Sequence, residues 1–119
     1  PRSAAFTTVI HAIGRSWRER GGNPDVVGVL PGLLLAEGYE IEHLGVHQRV
    51  ARAPASGAGT SMWHWPDSFW STFLPRLESM GHITTAQRGE FERDWAAAAA
   101  NPAAFMLLPP VFDLIAVKR

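Results

Sequence analysis

The segment Val111–Val117 restricts the fold more than any other part of the chain, because it is almost continuously apolar. Such a run is typical of a strand that is buried on both faces of a sheet. The only other segment predicted to be a strand is Tyr39–Val50, and two strands do not form a stable sheet alone. We therefore expect the final strand to find its neighbours in residues outside this chain or in a second copy of it.

Two helices are predicted before the first strand. Ser3 is a suitable N-cap for a helix that runs to about Arg20, with apolar residues recurring at helical spacing. The turn Gly21–Pro24 ends this helix, and Asp25 is a plausible cap for the next one. Gly38 then predicts the end of the second helix as a C′ glycine. A helix, a glycine and a strand in this order indicate the αβ half of an α/β unit.

The middle of the chain is predicted to be a helical insertion. Ala53–Thr60 contains only small residues and predicts a mobile loop without core-forming residues. Pro66 suits the first turn of a bent helix that runs to Met80. Thr84–Gln87 is a capping-box pattern that opens a further helix. Phe69, Phe73 and Leu77 recur at helical spacing and form a helical stripe, called the aromatic stripe below. We expect this stripe and Trp95 to pack the insertion against the sheet.

Composition excludes several functional classes. Eleven Lys and Arg residues balance eleven Asp and Glu residues, so no basic face indicates a nucleic acid partner. The absence of cysteine excludes disulfides and thiolate chemistry. No apolar run is long enough to cross a membrane, and no signal peptide is recognisable. We expect a cytoplasmic protein.

Four segments carry a resemblance to a known family. They are the turn Gly21–Pro24, the helix end Leu33–Tyr39, the segment Trp65–Phe69 and the closing segment Phe112–Val117. In this order the chain resembles the C-terminal portion of a class I S-adenosylmethionine-dependent methyltransferase. The resemblance implies an α/β fold that is part of a Rossmann-like sheet: a helix-helix-strand unit over residues 1–52, a helical cap insertion over 53–104 and a final antiparallel strand over 105–119.

The resemblance also implies where ligands bind. In that family the final strand lies antiparallel beside the equivalent of Tyr39–Val50, whose carboxyl end points to the ligand-binding edge of the sheet. The acidic-Gly-x-Gly turn and the acidic residues that hold the cofactor cannot be placed in this chain. The family's S-adenosylmethionine is therefore not expected to bind this chain alone, and no catalytic residue is carried over.

Four residues are candidates for contact with a substrate. Trp63 and Trp65 follow the small-residue loop and precede the predicted helical stripe, so they either line an apolar pocket or belong to the core. His64 lies between them, and either contacts substrate or is exposed to solvent. His47 lies near the ligand edge. His43 and His47 share a face of the predicted strand but are roughly 13 Å apart along it, which argues against a shared metal ion.

Two functional hypotheses follow. The first is the substrate-side part of a methyltransferase for a small molecule, inactive without the missing N-terminal half. The second is a non-catalytic binding or dimerisation module derived from the same fold, in which Val111–Val117 pairs with its own copy.

Overall fold

The computed structural model describes residues 3–57 and 61–119 of the 119-residue chain. Within those ranges the chain is a mixed α/β protein with two separate two-stranded antiparallel sheets. The last three residues of the predicted small-residue loop lie outside the described residues. The helices are α1 (Ala4–Glu19), α2 (Val26–Ala36), α3 (Ser61–Ser79) and α4 (Thr85–Ala99), and the strands are β1 (Tyr39–His47), β2 (Val50–Arg52), β3 (Phe105–Leu107) and β4 (Val111–Lys118).

The helix boundaries follow local side-chain chemistry. The Ser3 hydroxyl accepts a hydrogen bond from a first-turn N–H of α1, and Thr84 with Gln87 forms the predicted capping box of α4. Gly38 follows α2 with a φ of 79°, a conformation that favours glycine. The prediction for Asp25 was only half right. It is the N-cap residue of α2, but its carboxylate pairs with Arg18 instead of capping the helix.

The main hydrophobic core lies among α1, α3 and α4. Phe91 and Leu77 are almost completely buried there, and Val9 of α1 is buried with them. The expectation that the aromatic stripe packs the insertion against the β1–β4 sheet was wrong, because α3 packs against α1, α4 and the short strand β2 instead. Phe91 stacks on Trp95 and meets Trp70 edge-to-face, so the aromatic rings of this core pack on one another.

The second part of the fold consists of α2, β1 and β4. β4 pairs antiparallel with β1 in a register that places Asp113 opposite Gly45. α2 packs against β1 but has no buried residue. β4 was predicted to be buried on both faces, yet none of its residues is buried, because β1 is its single strand neighbour among the described residues.

The predicted strand Tyr39–Val50 is divided between two sheets. β1 ends at His47, and Val50 begins β2, which pairs with the unpredicted strand β3. The break has a tertiary cause: the Arg49 carbonyl accepts a hydrogen bond from Leu108 N–H at 2.9 Å, which turns the chain towards β3. The prediction that the following loop lacks core-forming residues was wrong at Ala53, which is fully buried.

Glu78 connects the end of α3 to the start of α4. Its Oε1 accepts a hydrogen bond from Thr85 Oγ1 at 2.5 Å, and its Oε2 accepts one from Arg88 Nη1 at 3.0 Å. Both bonds favour the ionised carboxylate, so Thr85 and then Arg88 lower the pKa of Glu78 below its ordinary value.

Removal of the Thr85 hydroxyl is expected to raise the pKa of Glu78. A lowered pKa in the folded state stabilises the protein above the unfolded-state pKa, and that stability is lost as the pH falls through the folded-state pKa. Acid titration of the Glu78 carboxyl carbon by NMR, in the wild type and in Thr85→Val, measures the effect directly. The same midpoint in both proteins would contradict the assigned cause, and Thr7→Val on α1 is a control that leaves this contact intact.

Candidate functional site

A cavity of about 400 Å³ opens where β1 ends. This volume lies within the range of small-molecule sites, which is roughly 300–1,000 Å³. His47 and Arg49 contribute the basic side chains of the wall. The remaining lining residues are apolar and come from α3, from the connection between β3 and β4, and from the first residue of β4: Met62, Trp65, Leu108, Pro109 and Val111.

Two hydrogen bonds to the backbone of Leu108 and Arg49 hold the walls of this cavity together. Leu108 N–H donates to the Arg49 carbonyl at 2.9 Å, and the Gln48 side-chain amide donates to the Leu108 carbonyl at 3.2 Å. Leu108 itself is buried. The segment that leaves β1 is therefore fastened to the segment that enters β4, so the basic side chains lie opposite an apolar wall.

Trp65 is the one aromatic residue in the wall of the cavity. Its side chain is 54% exposed and its ring stacks on Phe69 with a centroid separation of 6.3 Å. No acidic side chain pairs with Arg49 anywhere in residues 3–57 and 61–119. The cavity therefore suits a small apolar molecule, with a basic group available for a polar or anionic substituent.

The four residues predicted from the sequence occupy three different environments. His47 and Trp65 meet at the cavity. His64 is exposed and lines a shallower groove along α3, with Trp65, Ser68 and Phe69 among its neighbours. Trp63 is only 3% exposed and stacks on Trp95 at 4.4 Å, which places it in the helical core. Both tryptophans lie inside α3 and do not precede it, because the helix already begins at Ser61.

A histidine–aspartate cluster lies at the same end of the sheet. His43 Nε2 is 2.5 Å from Asp113 Oδ2, and His47 Nε2 is 3.2 Å from Asp113 Oδ1. The Oδ1 atom is buried and has no aligned hydrogen-bond donor. The two histidines thus share a carboxylate across the β1–β4 pair, and one of them also lines the cavity.

The described part of the chain contains no cluster of three or more His, Cys, Asp or Glu residues arranged to hold a metal ion. Asp113 lies between the two histidines, so their Nε2 atoms face different oxygens of one carboxylate. In the same ranges, none of the helices combines the length and the apolar character that a membrane span requires.

Sequence reasoning missed Asp113 and the apolar wall at Leu108–Pro109. Asp113 is the one charged residue within the apolar run Val111–Val117, and Gly45 interrupts the apolar alternation of β1 directly opposite it. These two interruptions of the apolar pattern were the sequence features from which the cluster around Asp113 could have been predicted. Leu108–Pro109 gave no comparable signal, because its place beside β1 depends on the pairing of β2 with β3.

Comparisons of the chain with protein-family models, with curated proteins and with solved structures found no match. The functional assignment therefore rests on the residues and the geometry of the site. The cavity at the end of β1 is the feature with the most specific chemistry.

Proposed function

We propose that this chain is the C-terminal, substrate-side part of an S-adenosylmethionine-dependent methyltransferase that acts on a small molecule. The observation that carries the proposal is the cavity where β1 ends, with His47 and Trp65 in its wall. The antiparallel β4 beside β1 and the helical segment between them agree with the strand order of such an enzyme. In this proposal β1 and β4 are the last two strands of a Rossmann-like sheet.

The residues around the cavity do not suit the cofactor itself. The cofactor's ribose hydroxyls are held by an acidic residue in this family, whereas the wall of the cavity contains basic and apolar side chains and no carboxylate. The cavity is therefore assigned to the methyl acceptor. S-Adenosylmethionine supplies an activated methyl group, so the contribution of this chain is to orient the acceptor and to exclude water.

The proposal predicts that this polypeptide alone does not bind S-adenosylmethionine in isothermal titration. It also predicts an acidic-Gly-x-Gly turn in the coding sequence upstream of Pro1, and cofactor binding by the polypeptide that includes that segment. Micromolar binding of S-adenosylmethionine by the isolated chain would contradict the proposal that its cofactor site is incomplete. A coding sequence that lacks the upstream turn would overturn the proposed function altogether.

A second candidate function is a binding or dimerisation module without catalysis. The apolar side chains that α2, β1 and β4 expose favour it, among them Leu33, Leu44 and Ile115, each more than half exposed. Light scattering separates the two candidates. A self-associating chain whose coding sequence lacks the cofactor turn would support the module, and a compact monomer would contradict it.

A further inference from the structure

We propose that Asp113 is a positioning residue that prepares His47 to accept a proton from a hydroxyl group of the bound substrate. The inference deepens the proposed function and rests on it. A methyl acceptor with a hydroxyl nucleophile must lose a proton, which a histidine can accept. The substrate class that follows is a small apolar molecule with a hydroxyl group, such as a phenol.

The register of the sheet assembles this group of side chains. His43, Gly45 and His47 alternate along β1, so they lie on one face of the strand. Asp113 of β4 lies directly opposite Gly45, midway between the two histidines. Cross-strand and diagonal neighbours on one face lie within side-chain reach, so one carboxylate can serve both rings.

Gly45 makes the space that the cluster occupies. A Cβ atom at this position would lie 2.7 Å from His43 Nε2 and 2.9 Å from Asp113 Oδ2. Distances below 3.0 Å are not tolerated by real Cβ atoms, so any side chain at position 45 would displace the pair. Because position 45 has no side chain, the His43 imidazole and the Asp113 carboxylate can meet above the backbone of Gly45.

The carboxylate determines which ring nitrogen can act as a base. An ionised carboxylate only accepts hydrogen bonds, so a neutral imidazole that faces it donates its Nε2–H. Nδ1 then remains the proton-accepting nitrogen of that ring. Asp113 Oδ2 holds His43 in this way. Oδ1 is buried without an aligned donor and lies 3.2 Å from His47 Nε2, so we assign the Nε2–H of His47 to this atom.

His47 is the ring that meets the substrate. It lines the cavity at the end of β1, and its side chain is 76% exposed, so a ligand can reach it. Arg49 in the same wall is positively charged, so it repels a substrate with an ammonium group. It favours a substrate with a neutral hydroxyl, and the phenolate that forms when a phenol loses its proton. Met62 and Trp65 offer apolar surface to the ring of such a substrate.

The binding of 4-nitrophenol to this chain tests the inference without the cofactor. The probe absorbs visible light differently as a phenol and as a phenolate, so its bound spectrum reports proton transfer. We expect the wild type to bind the probe as phenolate, and both His47→Gln and Asp113→Asn to reduce the bound phenolate by at least about tenfold. His11→Gln, on the exposed surface of α1, is the control and should leave the spectrum unchanged.

NMR of the imidazole nitrogens distinguishes positioning from a merely structural tie between the strands. We expect His43 and His47 of the wild type to carry the proton on Nε2, and Gly45→Ala to abolish this preference at His43. Gly32→Ala in α2 is the matched control, since nothing lies within 4 Å of the added Cβ. A structural tie would alter unfolding without changing the bound probe's spectrum.

The outcomes separate the inference from the proposed function. A wild type that does not bind the probe, or a phenolate signal that survives both site substitutions, would overturn the inference. The proposed function depends instead on cofactor binding by the longer polypeptide, and a missing cofactor turn would remove it whatever the probe shows.

Discussion

Phe91→Ala is expected to lower the free energy of unfolding by about 3–5 kcal/mol, the usual cost of deleting a buried phenylalanine. Phe91 is only 1% exposed and is among the largest fully buried side chains of the described residues. Its ring lies 5.8 Å from that of Phe6 in a stacked arrangement and 4.9 Å from that of Trp70 in an edge-to-face arrangement. The substitution therefore removes contacts between α4 and both α1 and α3.

Such a loss would be a large fraction of the total free energy of unfolding, which is roughly 5–15 kcal/mol for domains of ordinary size. Urea unfolding followed by circular dichroism measures it. Phe105→Ala is the matched control: that side chain is 58% exposed, so the expected cost is within about 0.5 kcal/mol. Phe73 is only partly buried, and its replacement by alanine should cost less than that of Phe91. Equal losses at Phe91 and Phe105 would contradict the assigned core.

The second large effect concerns the two tryptophans of α3. In the full-length methyltransferase that we propose, Trp65→Ala is expected to weaken substrate binding by about tenfold, or about 1.4 kcal/mol, with cofactor affinity unchanged. The reason is that Trp65 is exposed and lines the cavity at the end of β1. Trp63→Ala should instead destabilise the fold by about 3–5 kcal/mol, because Trp63 is buried against Trp95.

Melting curves and steady-state kinetics of the two variants separate these roles. Trp63→Ala is the internal control for Trp65→Ala, since both substitutions remove an indole side chain from the first turns of one helix, at positions two residues apart. A similar drop in melting temperature for both, with substrate affinity unaffected in Trp65→Ala, would place both rings in the core. The cavity would then lose its principal aromatic wall.

The candidate site was only partly visible in the sequence. His47 and Trp65 were selected because one lies near the end of a predicted strand and the other follows a loop, and the structure brings both to one cavity. Trp63 had the same sequence context as Trp65, yet it is buried against Trp95. Two positions along a helix differ by roughly 200° in direction, so the two rings point to opposite sides of α3. The packing of α4 against one side decides that Trp63 is the buried ring.

The sequence by itself determined the features that depend on neighbouring residues. The cap at Ser3, the capping box at Thr84 and the glycine end of α2 at Gly38 are hydrogen-bonding and steric effects within a few residues. The antiparallel direction of β4 against β1 is not a local feature of this kind, and it was expected only from the family resemblance.

Only the tertiary structure decided which surfaces meet. The aromatic stripe of α3 could equally have covered the β1–β4 sheet, but α3 packs against α1, α4 and the short strand β2. The short strands β2 and β3 form because each provides the other's hydrogen bonds. The paired residues are 53 to 57 positions apart, so no local pattern encodes this pairing. The pairing of β1 with β4 is also long-range. Its register places Asp113 between His43 and His47, and that register is set by the contacts between the two strands and not by either strand alone.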